Sequence, residues 1–279
     1  MRSVRKGTEP TAQAIFAQTN PIDPILHLVK AGGKLIEEPA ALARLLRAFA
    51  ALAGPKVLVH GGGRSATRFA ERLNLPTRLV DGRRLTDAAT LEVVVMVYAG
   101  LTNKRIVAQL QALDVDALGL SGADANLIAA HKRTGGDLDY GYVGDLDAVN
   151  AERLRQLLTQ GLTPVLCPIT HDGRGQLLNT NADTIAARVA VALSAHYRVR
   201  LHYCFEYPGV LYDLDEPTRT MPEIRVSDLP SLRDSGAVHA GMLPKLDNAA
   251  FAKTRGVAAV SICGVDNLAT QTGATWISA

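Results

Sequence analysis

The chain has 279 residues, enough for one large α/β domain or two lobes, and its 47% hydrophobic and 20% charged content is ordinary for a soluble globular protein. The net charge of +3 is spread thinly and only 5% of residues are aromatic, which excludes a nucleic-acid patch or a base-stacking platform. No apolar run reaches the ~18 residues of a membrane span, and the N-terminus lacks the apolar stretch of a signal peptide.

In chain order, residues 1–24 are basic, polar and closed by Pro24. They read as a flexible leader, with a short amphipathic helix used in assembly as the alternative. Ile25 to Val29 is a compact apolar strand ending at Lys30-Ala31-Gly32-Gly33. Pro39 to Ala53 predicts a helix, with Pro at its start and Leu42, Leu45, Leu46 and Phe49 on one face. Lys56 to Val59 is the next strand and runs into His60-Gly61-Gly62-Gly63; Ala66 to Leu73 is helical. Pro76, Asp81 and Gly82 predict a hairpin. Asp87 to Leu113 is a long helix, broken or bent near Gly100, and Ala117 to Leu120 is a strand. Leu162 to Cys167 is a strand, Asp172-Gly173 and Gly175 mark a hairpin, and Asp183 to Leu193 is a buried helix rich in Ala and Val. Arg198 to Tyr203 and Val257 to Ile262 complete the strands. This alternation predicts a mostly parallel sheet with helices on both faces and ligand sites beyond the carboxyl ends of its strands. Cys167, Cys204 and Cys263 form no CxxC and read as reduced core thiols.

Gly32-Gly33 and Gly61-Gly62-Gly63 each follow a strand and precede a helix. Glycine lets the backbone approach a ligand closely, and a helix start offers free N–H groups and a positive dipole end. Two such turns on neighbouring strands could hold two anions face to face, as phosphoryl transfer requires. Glycines in tight turns without any ligand are the plainer reading. Gly61 to Ala66 also matches the dinucleotide fingerprint G-x-G-x-x-G/A, with Asp81 near the ribose-binding position, which would make a nicotinamide-dependent dehydrogenase. That reading leaves Lys30, Asn179, Asp183 and Lys245 without a role, and no Walker-type loop is present.

Phosphoryl transfer needs positive charge around the moving group rather than covalent chemistry. Lys30 and Lys245, beside turns, are candidate suppliers, although a lysine beside a turn is usually solvated. Asn181 or Thr180 could cap the helix that Asp183 opens; the functional reading has Asn179 binding substrate and Asp183 orienting two lysines. Arg84 is a candidate carboxylate clamp, or an exposed hairpin arginine. The seven histidines show no metal-binding spacing, so no metal ligands are assigned.

Lys30 to Gly33, Val59 to Gly63, Gly82 to Thr86, Gly100 to Lys104, Leu178 to Asp183 and Gly241 to Lys245 together resemble, in order and rough spacing, the acetylglutamate kinases of the amino-acid kinase family. The resemblance runs from Ile25 to the C-terminus. It implies a three-layer α/β/α sandwich with a mostly parallel central sheet, an N-lobe (about 25–195) binding the acylated amino acid and a C-lobe (about 196–279) binding ATP. It implies that Lys30 and Lys245 stabilise the transferring phosphoryl and that Asp183 organises them. Gly62, Gly63, Arg84 and Asn179 are implied to bind substrate, and Gly32, Gly33, Glu206, Gly209 and Leu211 to belong to the nucleotide site. The implied reaction phosphorylates the γ-carboxylate of N-acetyl- or N-succinyl-L-glutamate in arginine biosynthesis. ATP and Mg²⁺, the latter held mainly by the phosphates, come with it, as do a cytoplasmic location and a homodimer or higher homo-oligomer. A non-catalytic ligand-binding homologue is a further alternative.

The sequence departs from the usual pattern at Tyr203 to Leu211, where Glu206 holds the place of an aspartate, and at Thr170-His171-Asp172-Gly173. Both features resemble a divergent branch in which N-succinylglutamate replaces N-acetylglutamate. Gly273 to Trp276 also differs from the usual Gly-Thr-Arg ending.

Overall fold

A computed structural model describes residues 24–80, 83–135, 138–213, 216, 219–235, 238, 242–270 and 273–279. The leader apart from Pro24, and Asp81, Gly82 and Gly241, lie outside the described residues.

The first strand, β1 (Ile25–Ala31), runs two residues further than its apolar core suggests and carries Lys30 within it. α1 (Gly33–Glu37) and α2 (Pro39–Ala50) follow, with Pro39 opening α2, where its missing N–H costs nothing. Next come β2 (Lys56–His60), α3 (Ser65–Arg72) and the expected hairpin, β3 (Leu79–Val80) with β4 (Arg83–Arg84). α4 (Ala88–Val94) is capped by Asp87, whose carboxylate accepts from the Thr90 amide at 2.8 Å. The predicted break near Gly100 is a π-helical stretch, Val95–Thr102, that passes without interruption into α5 (Asn103–Gln111). Wider i→i+5 bonding absorbs the irregularity that would otherwise break the helix.

β5 (Ala117–Leu120), β6 (Ile128–Lys132), β7 (Val143–Val149), α6 (Ala151–Thr159), β8 (Thr163–Leu166), β9 (Ile169–His171), β10 (Leu177–Thr180) and α7 (Ala182–Leu193) make up the middle of the chain. The last part holds β11 (Arg198–Phe205), β12 (Glu223–Arg225), α8 (Leu229–Asp234), α9 (Leu243–Thr254), β13 (Ala259–Gly264), α10 (Val265–Thr270) and β14 (Thr275–Ser278).

Eight strands form one sheet in the order β12-β14-β13-β11-β1-β2-β8-β5, parallel except where β14 runs against β13. On one face Leu26, Leu28, Val59 and Leu201 pack against Ile185 and Val189 of α7 and Leu246 and Ala249 of α9. On the other, Val29, Leu58 and Val165 pack against Leu42, Leu45 and Phe49 of α2 and Ile106 and Leu110 of α5. The result is the three-layer α/β/α arrangement. Beside it, β6, β7, β9 and β10 close into a small barrel. The three cysteines are buried and free, as core thiols should be.

A polar ladder crosses the sheet interior. His27 of β1 contacts His202 of β11 (Nδ1 to Nε2, 3.3 Å), and His202 Nδ1 contacts Ser261 Oγ of β13 at 2.8 Å. Burial, with Arg200 and Lys56 behind it, holds His27 at about 4; burial, His27 and Arg200 hold His202 at about 3.

Candidate active site

Side chains alternate along a strand, so Lys30 continues the row Leu26–Leu28 that faces α7. α7 starts at the same end of the sheet. Asn181 caps it, accepting from the amides of Asp183 (2.8 Å) and Thr184 (3.1 Å), and this sets Asp183 in the first turn above Lys30. Capping and function thus use adjacent residues and do not compete. Lys30 Nζ lies 2.7 Å from Asp183 Oδ1. From the start of α9, Lys245 Nζ reaches to 3.8 Å from Oδ2. Tyr203, beside Lys30 in the β1–β11 register, donates its hydroxyl to the Asp183 carbonyl at 3.1 Å.

Lys30 and Asp183 are almost wholly buried and Lys245 mostly so. Burial pushes the Asp183 carboxyl up, but Lys30 and then Lys245 outweigh it and hold the group below its ordinary range. Burial draws the Lys245 ammonium down, against the pull of Asp183. One carboxylate therefore holds two desolvated cations at the carboxyl ends of the central strands.

The two glycine turns meet beside this array, because β1 and β2 are hydrogen-bonded neighbours. A Cβ on Gly33 would lie 3.0 Å from Gly63 Cα, so one loop presses backbone on the other. A Cβ on Gly62 would fall 2.0 Å from the Tyr98 ring, while Gly63 has φ +58°. The amides of Gly33, Gly62 and Gly63 make no hydrogen bond to another described residue, whereas the Gly32 amide donates to the Cys204 carbonyl at 2.8 Å. Three backbone donors thus remain for an anion between the loops.

Two cavities flank them. The first, of about 290 Å³, is lined by Lys30, Gly61 to Gly63, Arg84, Asn179 and Asp183. Arg84 is 8% exposed, so it is not the solvated hairpin arginine. Its Nη2 donates to Thr67 Oγ1 at 2.7 Å, while Nε and Nη1 are buried without a hydrogen-bond partner among the described residues. A buried guanidinium with unfilled donors at a cavity wall suits a carboxylate there. Asn179 donates to Thr86 Oγ1 at 3.0 Å, which ties β10 to the strand after the hairpin. Tyr98, from the π-helical stretch, and Arg133, after β6, also line this cavity. Neither belongs to a motif the sequence reading used.

The second cavity, of about 340 Å³, is lined by Gly32, Gly33, Lys34, Glu206, Tyr207 and Lys245 among others. Glu206 pairs with Lys34 at 2.7 Å. Gly33 and Gly63 line both cavities, so the glycine turns form the partition. Gly209 and Leu211 line neither. Gly209 packs where a Cβ would sit 2.6 Å from Thr275 Oγ1, and Leu211 is buried and bridged to Thr220. Thr275 accepts from the Val210 amide at 2.8 Å and donates to the Met221 carbonyl at 2.6 Å. The unusual C-terminal segment is therefore the strand that pins this loop. No group of three or more His, Cys, Asp or Glu side chains among the described residues is placed to hold a metal, and no described helix is long and apolar enough to cross a membrane.

Two cavities sharing a glycine partition, with paired lysines at their junction, suit phosphoryl transfer, and the chain belongs to the amino acid kinase family, whose model matches residues 26–264. Within that family it is similar to an acetylglutamate kinase of Parabacteroides distasonis, 53% identical over 237 residues that cover 85% of this chain and 93% of the relative. An acetylglutamate kinase of Cytophaga hutchinsonii is 47% identical over 244 residues, covering 87% and 92%. Among solved structures, the N-acetylglutamate synthase of Neisseria gonorrhoeae complexed with coenzyme A and N-acetyl-glutamate superposes with a TM-score of 0.77. At 23% identity, covering 92% of this chain and 60% of that one, it shares the fold. The dehydrogenase alternative is not supported: Gly61–Ala66 lies inside the residues that the amino acid kinase model matches.

Proposed function

We propose that the enzyme transfers the γ-phosphoryl group of ATP to the γ-carboxylate of N-acetyl-L-glutamate, giving the acyl phosphate and ADP, a step of arginine biosynthesis. The observation that carries this reading is Asp183 held between Lys30 and Lys245, at 2.7 and 3.8 Å, where the two cavities meet.

The first cavity takes the acyl amino acid. Its α-carboxylate answers the orphaned edge of Arg84, Asn179 holds the backbone, and its γ-carboxylate points at the glycine partition. The second cavity takes the nucleotide, with Gly32, Gly33 and Glu206 on its wall. The γ-carboxylate is ionised at neutral pH and attacks phosphorus in line without a general base. The free amides of Gly33, Gly62 and Gly63 and the two ammonium groups stabilise charge on the transferring group and the leaving oxygen. Magnesium, held mainly by the ATP phosphates, would supply charge neutralisation there. No protein cage is required for it, which suits a second cavity whose Glu206 is already committed to Lys34.

In this reading residues 25–195 bind the acyl amino acid and 196–279 the nucleotide, and the protein works in the cytoplasm as a homodimer or larger assembly. The test is ADP release from Mg-ATP offered N-acetylglutamate, N-succinylglutamate and free glutamate in parallel. Turnover confined to acylated glutamate is expected; turnover on free glutamate alone, or on none, would overturn the reading.

A further inference from the structure

The motif Gly100 to Lys104 has no part in the mechanism above, yet its Asn103 is 1% exposed and lies against a histidine that is wholly buried. That histidine, His60, is the last residue of β2 and stands directly before the glycine turn. Its Nδ1 lies 2.9 Å from the Gly61 carbonyl oxygen, and its Nε2 lies 3.1 Å from Asn103 Nδ2. Asn103 Nδ2 also donates to the Val165 carbonyl of β8 at 2.9 Å. Asn103 Oδ1 accepts from Lys104 Nζ at 3.2 Å, and Lys104 Nζ donates to the Gly119 carbonyl of β5 at 3.0 Å. Gly119 makes room for this amide, since a Cβ there would fall 1.9 Å from Asn103 Oδ1.

The partners decide the tautomer. A carbonyl such as that of Val165 only accepts, so the Asn103 atom beside it is the NH2 group, whose second hydrogen goes to His60 Nε2. Nε2 is therefore the unprotonated nitrogen, and Nδ1–H donates to the Gly61 carbonyl. Burial holds the imidazole at about 4, which agrees with a neutral ring. The peptide after Gly61 is trans, so its carbonyl and its N–H point opposite ways. Drawing the Gly61 carbonyl onto the buried ring turns the Gly62 N–H outward, to the side on which Gly61 to Gly63 line the first cavity. Glycine on both sides lets that peptide rotate at little cost. Unpinned, it would be free to bring a carbonyl oxygen to the place where an anion binds. A buried network with its partners satisfied is what fixes one arrangement.

We propose that His60, held in one tautomer by Asn103, is a positioning residue for phosphoryl transfer: it pins the Gly61 carbonyl and so aims the Gly62 amide at the transferring group. The proposal rests on the kinase reading above and gives the motif at Gly100 to Lys104 its role.

The test compares kcat, the KM of each substrate and analogue binding in the wild type, H60L, H60N and N103L. Leucine removes both ring nitrogens, whereas asparagine puts an NH2 group near the place of Nδ1 and can still hold the Gly61 carbonyl. In H60L kcat is expected to fall ~10- to 100-fold, less than for outright removal of an oxyanion donor, with both KM values little changed. H60N is expected to recover most of that loss. In calorimetry ADP alone should bind H60L as it binds the wild type. ADP with aluminium fluoride and N-acetylglutamate, a mimic of the phosphoryl group in flight, should bind H60L ~10-fold more weakly. N103L leaves His60 in place and frees its tautomer, so the same pattern is expected at smaller size, and this variant decides the matter if H60L does not fold. Wild-type kcat in H60L or N103L, a loss in H60N as large as in H60L, or one common factor lost from ADP and from the aluminium fluoride complex would each overturn the positioning role while leaving the kinase intact. No ADP from the wild type with acylated glutamate would overturn the kinase reading itself, and this proposal with it.

Discussion

Asp183 shows how one residue can serve two purposes without conflict. It stands in the first turn of α7, where a carboxylate suits the helix dipole, and the same position lets it hold Lys30 and Lys245. In the proposed mechanism Lys30→Ala removes a desolvated cation from beside the transferring group, so kcat should fall ~10²-fold or more with KM for the acyl amino acid little changed. Arg84→Met should do the reverse: KM should rise ~10-fold or more, the loss of a charged hydrogen bond to a bound carboxylate, with a smaller effect on kcat. Steady-state kinetics with each substrate varied separates the two. Lys30, Asp183, Asn179, Arg84 and Lys245 were legible in the sequence because each sits at a strand or helix end inside a short motif. Tyr98, Lys34 and Arg133 were not. Tyr98 lies in the middle of an apolar helical run, and nothing in a run of Val, Met and Tyr says which residue faces a cavity. Arg133 reaches its cavity only through the β6–β7 pairing.

At the scale of elements, the glycine turns and the π-helical stretch are one device. Gly62 has no Cβ because the Tyr98 ring occupies that space, and burial pushes the Tyr98 phenol up, with Arg84 opposing. Gly62→Ala should therefore displace the turn and the ring together and lower kcat/KM ~10-fold or more, the scale of a small misplacement at a reacting centre. Combining it with Tyr98→Leu should cost less than the sum of the single effects, which a double-mutant cycle on kcat/KM measures. Additive losses would show that the two do not act through contact. The sequence reading weighed ligand approach against tight turns; packing accounts for Gly62 and backbone angle for Gly63. The helices and central strands were legible from period and caps. Of the small barrel only the β9–β10 hairpin was legible, from Asp172-Gly173 and Gly175; β6 and β7 are strands of mixed polarity with only some positions buried, so no clean alternation marks them.

For the whole molecule, the polar ladder through the sheet adds to acid sensitivity, alongside the buried His60, which burial also holds at about 4. His27 and His202 are neutral in the fold, at about 4 and about 3, against 6.5 unfolded. Their contribution is whole above pH 6.5 and is lost as pH falls through that window, because the unfolded chain binds protons the fold refuses. Denaturant unfolding at pH 7 and pH 4.5 should show lower stability at pH 4.5, and a His27→Asn variant should show a shallower slope. Unchanged slopes in that variant would place the acid sensitivity elsewhere. The parallel three-layer plan itself was readable from alternating strands and helices, but strand order was not, since it depends on contacts far apart in the chain.

That order also sets a timetable for the nascent chain. Of the described strands β1 is made first, and β2 joins one of its edges soon afterwards. Its other edge belongs to β11, Arg198–Phe205, so at ~5–20 residues per second the ribosome takes roughly 10 to 40 s to deliver the partner. Throughout that interval the strand that carries Lys30 shows a bare row of backbone donors and acceptors, open to any passing strand. Expression yield in this protein therefore turns on how well that edge is shielded during synthesis, and slowing translation between residues 60 and 198 should lower it.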